Sequence, residues 1–172
     1  MIAEELQPLA VPIDSLMPHP ENPRRGDRDR IRDSLWRFGQ VRPILTLRAG
    51  AENKLPDGTI IAGHHVWMTA REEEWPEIAA VRVTMSDEQA RAYMVADNRL
   101  SDIAGYDDRL LAQVLTDVRQ EQEGLAGTGY TDEEVDALLR LVDPPALDPP
   151  EPPEPQMLTC PSCGHRFWKG GD

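Results

Sequence analysis

Cysteine is almost absent from this chain: two of 172 residues, Cys160 and Cys163, only three positions apart. A pair that close cannot staple a fold, so no disulfide framework is expected. Long apolar runs are missing too, since no stretch approaches the ~18–20 residues that a membrane helix requires. The opening MIAEELQPLAVPID is acidic and has no basic flank before an apolar segment, which excludes a secretory signal. No internal repeat is present. Together these absences predict a cytoplasmic protein with no membrane partner. A chain of ~150 residues can bury roughly two thirds of its unfolded surface, enough for one domain with an appendage.

Positive charge is the next scarcity. Lysine and arginine number 18 against 31 acidic residues, a net charge of −13. Residues 1–60 balance nine against nine, so the whole deficit lies in residues 61–172. Within the neutral part, residues 22–42 hold seven arginines against three aspartates. One reading of this island is a place where a polyphosphate is drawn. The other is a solvated helix face with Asp–Arg pairs one turn apart. General coating of duplex DNA is disfavoured, because the remaining surface repels it.

The expected organisation is a loose leader over 1–10, a main domain over 11–123, and a short helical extension over 124–142. A linker at 143–156 holds seven of the 16 prolines and reads as a stiff polyproline-like spacer. A tail follows at 157–172. In the main domain VPIDSL (11–16) reads as a strand, and Asp27 caps a helix through Phe38 with Ile31, Leu35 and Phe38 inward. Gly39 ends that helix. Strands follow at 43–49, after the Asp57-Gly58 turn within 55–63, and at 79–84, with a helix over 64–74 stopping before Pro76. Ser86 with Gln89 forms a capping box for a helix running past Asn98. Asp107 or Asp108 caps another, with Leu110, Leu111, Val114, Leu115 and Val118 inward. Thr131 with Glu134 is a second capping box, for a helix to about Leu141. Mixed strands first and helices later give an α+β class.

Three loop-to-helix junctions carry chemistry. Asn22-Pro23-Arg24-Arg25 puts basic residues on a turn before a helix. At Gly63-His64-His65 a glycine permits close backbone approach, and free N–H groups at a helix start favour an anion. Asp97-Asn98-Arg99 offers hard oxygen ligands beside a guanidinium, which suits Mg²⁺ carrying a nucleotide phosphate. Each also has a plain structural reading as a turn, a packing glycine or an exposed helix face.

The order of these boxes resembles the N-terminal domain of the ParB family, which shares a fold with sulfiredoxin. The matching positions are Asn22, Pro23 and Arg24; Gly39, Pro43 and Ile44; Gly63 to Ala70; and Asp97, Asn98 and Arg99. The run ADNR, Tyr106-Asp107-Asp108 and GTGY (127–130) is similar to the phage-type branch. The resemblance implies a mixed sheet with flanking helices, and CTP or ATP bound with Mg²⁺ in DNA-associated work of a phage or mobile element. Phosphates would meet Asn22, Arg24, Arg25, Arg42, Pro43, Gly63, His64, His65, Asn98 and Arg99, with Asp97 and Asn98 beside Mg²⁺. His64-His65-Val66 stands where the family carries two arginines, so Arg24, Arg25 or Arg42 must supply the phosphate charge. Sulfiredoxin has a cysteine just after the glycine; His64 stands there, which excludes sulfinic-acid repair. Residues after the domain suffice for two or three helices, not for the centromere-reading helix-turn-helix of full-length ParB proteins.

Two further readings stay open. A metal-dependent nuclease would use Asp97 with His64 or His65 and a further carboxylate, with water attacking a phosphodiester. A non-enzymatic adaptor would use the fold as scaffold and the tail as hook to DNA or a DNA-bound protein. A weak NTPase activity is compatible with the first reading. In the tail, Cys160-Pro-Ser-Cys163-Gly-His165 is a C-x₂-C knuckle that offers two thiolates to Zn²⁺. His165 is a third ligand for one metal per monomer, or four cysteines from two tails make about one zinc per dimer. The 14-residue spacer, at ~3.1 Å each, reaches roughly 43 Å and lets two domains sit apart while their tails meet.

Overall fold

The computed structural model describes residues 1–50, 53–144 and 157–168. Strands β1 (Ala10–Pro12), β2 (Met17–Pro18), β3 (Ile44–Leu47), β4 (Thr59–Ala62) and β5 (Glu77–Val83) form one mixed sheet in the order β1-β5-β3-β4-β2. β3 lies parallel to β5 and antiparallel to β4. Helices α1 (Arg28–Phe38), α2 (His64–Glu72), α3 (Asp87–Ile103), α4 (Asp108–Arg119) and α5 (Asp132–Val142) surround it. No helix among the described residues is long and apolar enough to cross a membrane.

Two-residue alternation sorts the apolar side chains onto the two faces of the sheet. Ile44, Ile60, Ile78 and Ala80 join Trp67 and Ala70 of α2 on one face. Leu47 and Ile61 meet Ala90 of α3 on the other, with Leu45 and Val83 packed alongside. Trp67 also donates from its indole Nε1 to the Ile13 carbonyl at 3.0 Å, which fixes α2 to the turn after β1. α1 lies against α2 through ion pairs of Arg28 with Glu72 and of Arg32 with Glu73.

Local capping explains where the helices begin. Asp27 accepts from the Asp29 and Arg30 N–H groups, and both capping boxes form, Ser86 with Gln89 and Thr131 with Glu134. Asp107, not Asp108, caps α4. Gly39 ends α1 at φ 68°.

Several expectations are corrected. Residues 1–10 are not a loose leader: Glu4–Leu9 form a 3₁₀ helix, Ile2 bridges Gln40, and Ala10 enters β1 opposite Ala79. The strand expected over 11–16 breaks after Pro12 into a 3₁₀ turn at Ile13–Ser15, closed by the Leu16 N–H on the Ile13 carbonyl. Phe38 is 47% exposed and lies under the Arg37 guanidinium instead of facing inward. Leu110 (58%) and Val114 (48%) also face solvent, because Ala112, Leu115 and Val135 form the buried seam with α5. The spacer is outside the described residues from 145 to 156.

This seam yields a direct test. Leu115→Ala should cost ~2–5 kcal/mol in denaturant unfolding, as for a buried leucine truncation. Leu110→Ala, one turn away on the exposed side, should change stability by less than about 0.5 kcal/mol. Equal losses would show that the inward stripe is the one read from periodicity.

Candidate functional site

The loop from His19 to Asp27 reaches α1 by lying across the start of α2. His64, only 5% exposed, accepts the His19 N–H at Nε2 (3.1 Å). His65 accepts the Gly26 N–H at Nε2 (2.8 Å), and Gly26 must stay bare because a Cβ there would come 2.7 Å from that ring. Within the loop, His19 Nδ1 accepts from the Glu21 N–H and Asn22 Oδ1 from the Arg24 N–H. An imidazole nitrogen that accepts a hydrogen bond is unprotonated. Burial, then the neighbouring His65 and His19, push His64 down to about 4. His65 is lowered by burial and then by Arg24 and Arg28, and His19 is lowered first by burial.

Gly63 stands between β4 and α2 at φ 88°, and a Cβ there would meet Ile44 Cγ2 at 2.5 Å. No side chain caps α2. Its first N–H groups therefore open beside a cleft of about 210 Å³ lined by Asn22, Arg24, Gly63, His65, Asp97 and Asn98. An adjoining hollow of about 250 Å³ shares Gly63 and Asp97 and adds Arg42, Pro43 and Tyr93. Arg99 lines a further groove with Pro23, Arg24 and Asn98. The three junctions of the sequence thus meet around Gly63 and Asp97, while Arg25 lines none of these hollows.

Tyr93 was not anticipated. It sits one turn before Asp97 on α3, so the i, i+4 rule applied back from Asp97 would have found it.

The charges divide sharply. Arg28, Arg30, Arg32 and Arg37 of the basic island pair with Glu72, Glu134, Glu73 and Glu123. Arg24 pairs with Asp102 at 2.5 Å, and that carboxylate raises its already high pKa. Among the described residues Arg25, Arg42 and Arg99 form no ion pair, and the Asp97 carboxylate has neither an ion pair nor a hydrogen bond. Asn98 uses its Nδ2 on the Met94 carbonyl (2.8 Å), leaving its oxygen for the cleft. Hence the island is mostly structural, and the cleft's available charge is one carboxylate with a few flanking guanidinium groups.

No family model matches the chain, and no curated protein matches it. Among solved structures it is similar to the C-terminally truncated chromosome-partitioning protein ParB from Caulobacter crescentus complexed with CTP-gamma-S. The TM-score is 0.60 at 21% identity, covering 77% of each chain. The chain has a ParB-type fold. The same bacterial protein complexed to the centromeric parS site gives a TM-score of 0.42 at 21% identity, over 77% of this chain and 71% of that one. Sulfiredoxin from Arabidopsis thaliana gives 0.37 at 19%, over 49% and 93%.

In a separate two-stranded sheet, β6 (Met157–Thr159) and β7 (Arg166–Trp168) pair as an antiparallel hairpin around the two cysteines. Both are free. The N–H groups of Ser162 and Cys163, then the Cys163 thiol, hold the Cys160 thiol below the usual thiol range. No group of three or more His, Cys, Asp or Glu side chains able to hold a metal exists among the described residues. His165 is therefore not gathered with the two sulfurs. His64 and His65 line the same cleft as Asp97, but their Nε2 lone pairs are already spent on the loop.

The neutral histidines give a pH prediction. His64 has a lowered pKa in the folded protein, so the unfolded chain binds the extra proton first as pH falls. Stability should therefore be complete above pH 6.5 and decline from there to about pH 4, with His64 contributing roughly 2–3 kcal/mol of the loss. Urea unfolding across that range should show a shallower slope for His64→Asn. An unchanged slope would mean that His64 is not held neutral.

Proposed function

We propose that this chain binds CTP or ATP with Mg²⁺ through the cleft at Gly63 and acts in DNA-associated processes, on DNA or on a DNA-bound protein. One observation carries the reading. The uncapped start of α2 and the unpaired Asp97 carboxylate share a cleft, in a fold also found in a ParB complexed with CTP-gamma-S. Free N–H groups at a helix start attract phosphate oxygens. A bare carboxylate beside them repels phosphate unless a cation lies between, and oxygen donors suit Mg²⁺. Bound there, Mg²⁺ would neutralise phosphate charge. Asp97 and Asn98 would hold it, while Arg24, Arg42 and Arg99, which line the hollows, would face the remaining phosphate oxygens. His64 and His65 position the loop and bring no charge.

The DNA-associated part rests on the fold shared with a chromosome-partitioning protein. With a net charge of −13, contact with DNA must be local, or pass through a protein already on it. The phage or mobile-element setting rests on the ADNR and GTGY runs, and a cytoplasmic location is in keeping with DNA-associated work. In this reading the ParB-type body runs to about 123 and includes the first ten residues; the extension, the spacer and the tail follow.

A thermal-shift series with CTP, ATP and GTP, with and without Mg²⁺, tests the proposal. A ligand at 100 times its Kd adds ~2.7 kcal/mol. CTP or ATP should raise the melting temperature only with Mg²⁺. Asp97→Ala should abolish that response while its own stability stays within about 0.5 kcal/mol of the parent. No response to any nucleotide, or an undiminished response in Asp97→Ala, would reject the reading.

A further inference from the structure

The cysteine hairpin takes no part in the cleft. Isolated two-stranded hairpins are marginal in water, and this one has little apolar cover, since Met157, Leu158 and Trp168 are exposed. Its strands pair over three residues each. Core burial does not account for its order.

The loop supplies another source of order. Gly164 adopts φ 75°, which turns the chain so that its N–H reaches the Cys160 carbonyl (2.9 Å). The Cys160 N–H in turn reaches the His165 carbonyl (2.8 Å). The tight turn closed by these backbone bonds carries both cysteines, and two thiols on one such turn are matched to thiolate ligation of a single metal. Soft sulfur donors select Zn²⁺, which takes four ligands in a closed structural site. One chain supplies two. His165 does not join the sulfurs, and no other described side chain completes a set.

We propose that the Cys160–Cys163 hairpin is half of a tetrahedral zinc site, completed by the same hairpin from a second copy of this chain. Binding converts the two thiols of each copy to thiolates, releasing their protons to solvent, with no change in oxidation state. A second copy is the partner that brings an identical pair of sulfurs on an identical turn, and four thiolates related by a twofold axis close a tetrahedron. The inference is independent of the nucleotide cleft.

The experiment uses the full chain, purified under reducing conditions and loaded with Zn²⁺ or Co²⁺ alone. Metal analysis with light scattering should give one zinc per two chains and twice the 19.3 kDa chain mass. Cobalt should show the thiolate charge-transfer bands of a four-sulfur site. Cys163→Ser should lose the metal and halve the mass while the unfolding temperature of the ParB-type body stays unchanged; His165→Ala should keep both metal and mass. One metal per chain, a monomer at full loading, loss of metal in His165→Ala, or a metal-free chain indifferent to Cys163→Ser would each overturn the proposal.

Discussion

Two imidazole nitrogens that accept backbone N–H groups hold this structure's working surface together. His64 and His65 open α2 and pin the loop from His19 to Gly26 at two points. An unpartnered buried N–H costs ~1–3 kcal/mol, so losing His64 releases more than one contact. Arg24 is carried on that loop, and its pairing with Asp102 depends on where the loop lies. α1 begins where the loop ends, and its arginines reach both α2 and the segment from Gly124 to Glu134. Two arginines at these positions could not accept these bonds, because a guanidinium has no acceptor. Histidine at both positions thus fixes the loop where a guanidinium could not.

Gly63 separates packing from binding. Its left-handed backbone and the approach of Ile44 demand glycine whatever the cleft holds. A glycine between strand and helix is therefore weak testimony for a phosphate. The stronger sign is electrostatic: most arginines nearby are matched with carboxylates, yet Asp97 is left without a partner. A carboxylate near a helix start is itself stabilised there, yet it repels any phosphate drawn to the same N–H groups. On the proposed reading, a cation joins the two.

Signals confined to a few residues were legible in the sequence. Asp27, Ser86 with Gln89, and Thr131 with Glu134 open their helices as their spacing predicts, and the alternating strands fall on β3 to β5. The meeting of residues 22–24, 63 and 97 could be expected only through the resemblance, since no local rule brings them together. The failures share one cause. Periodicity says that a helix has an apolar face but not which neighbour claims it, so Phe38, Leu110 and Val114 were placed inward. The leader looked featureless because its partners, Gln40 and Ala79, lie dozens of residues away. Of the two readings of the arginine island, the Asp–Arg pairs one turn apart form at Asp27–Arg30 and Asp29–Arg32. Arg24, by contrast, meets a carboxylate 78 positions downstream that no local rule shows.

Net charge sets the last constraint on the cleft. At physiological salt the Debye length is ≈ 8 Å, so the −13 carried by the whole chain reaches the cleft only weakly, and the nearest charges decide. Those are Asp97, Arg24 with its Asp102 partner, Arg42 and Arg99. Arg24 is already half neutralised, which leaves two free guanidinium groups against one free carboxylate. A triphosphate carries more negative charge than that balance offsets. On the proposed reading, the cleft therefore depends on its divalent cation more than a site lined by two further arginines would. On the same reading the histidines deepen that dependence, because they steady the loop without bringing charge to it.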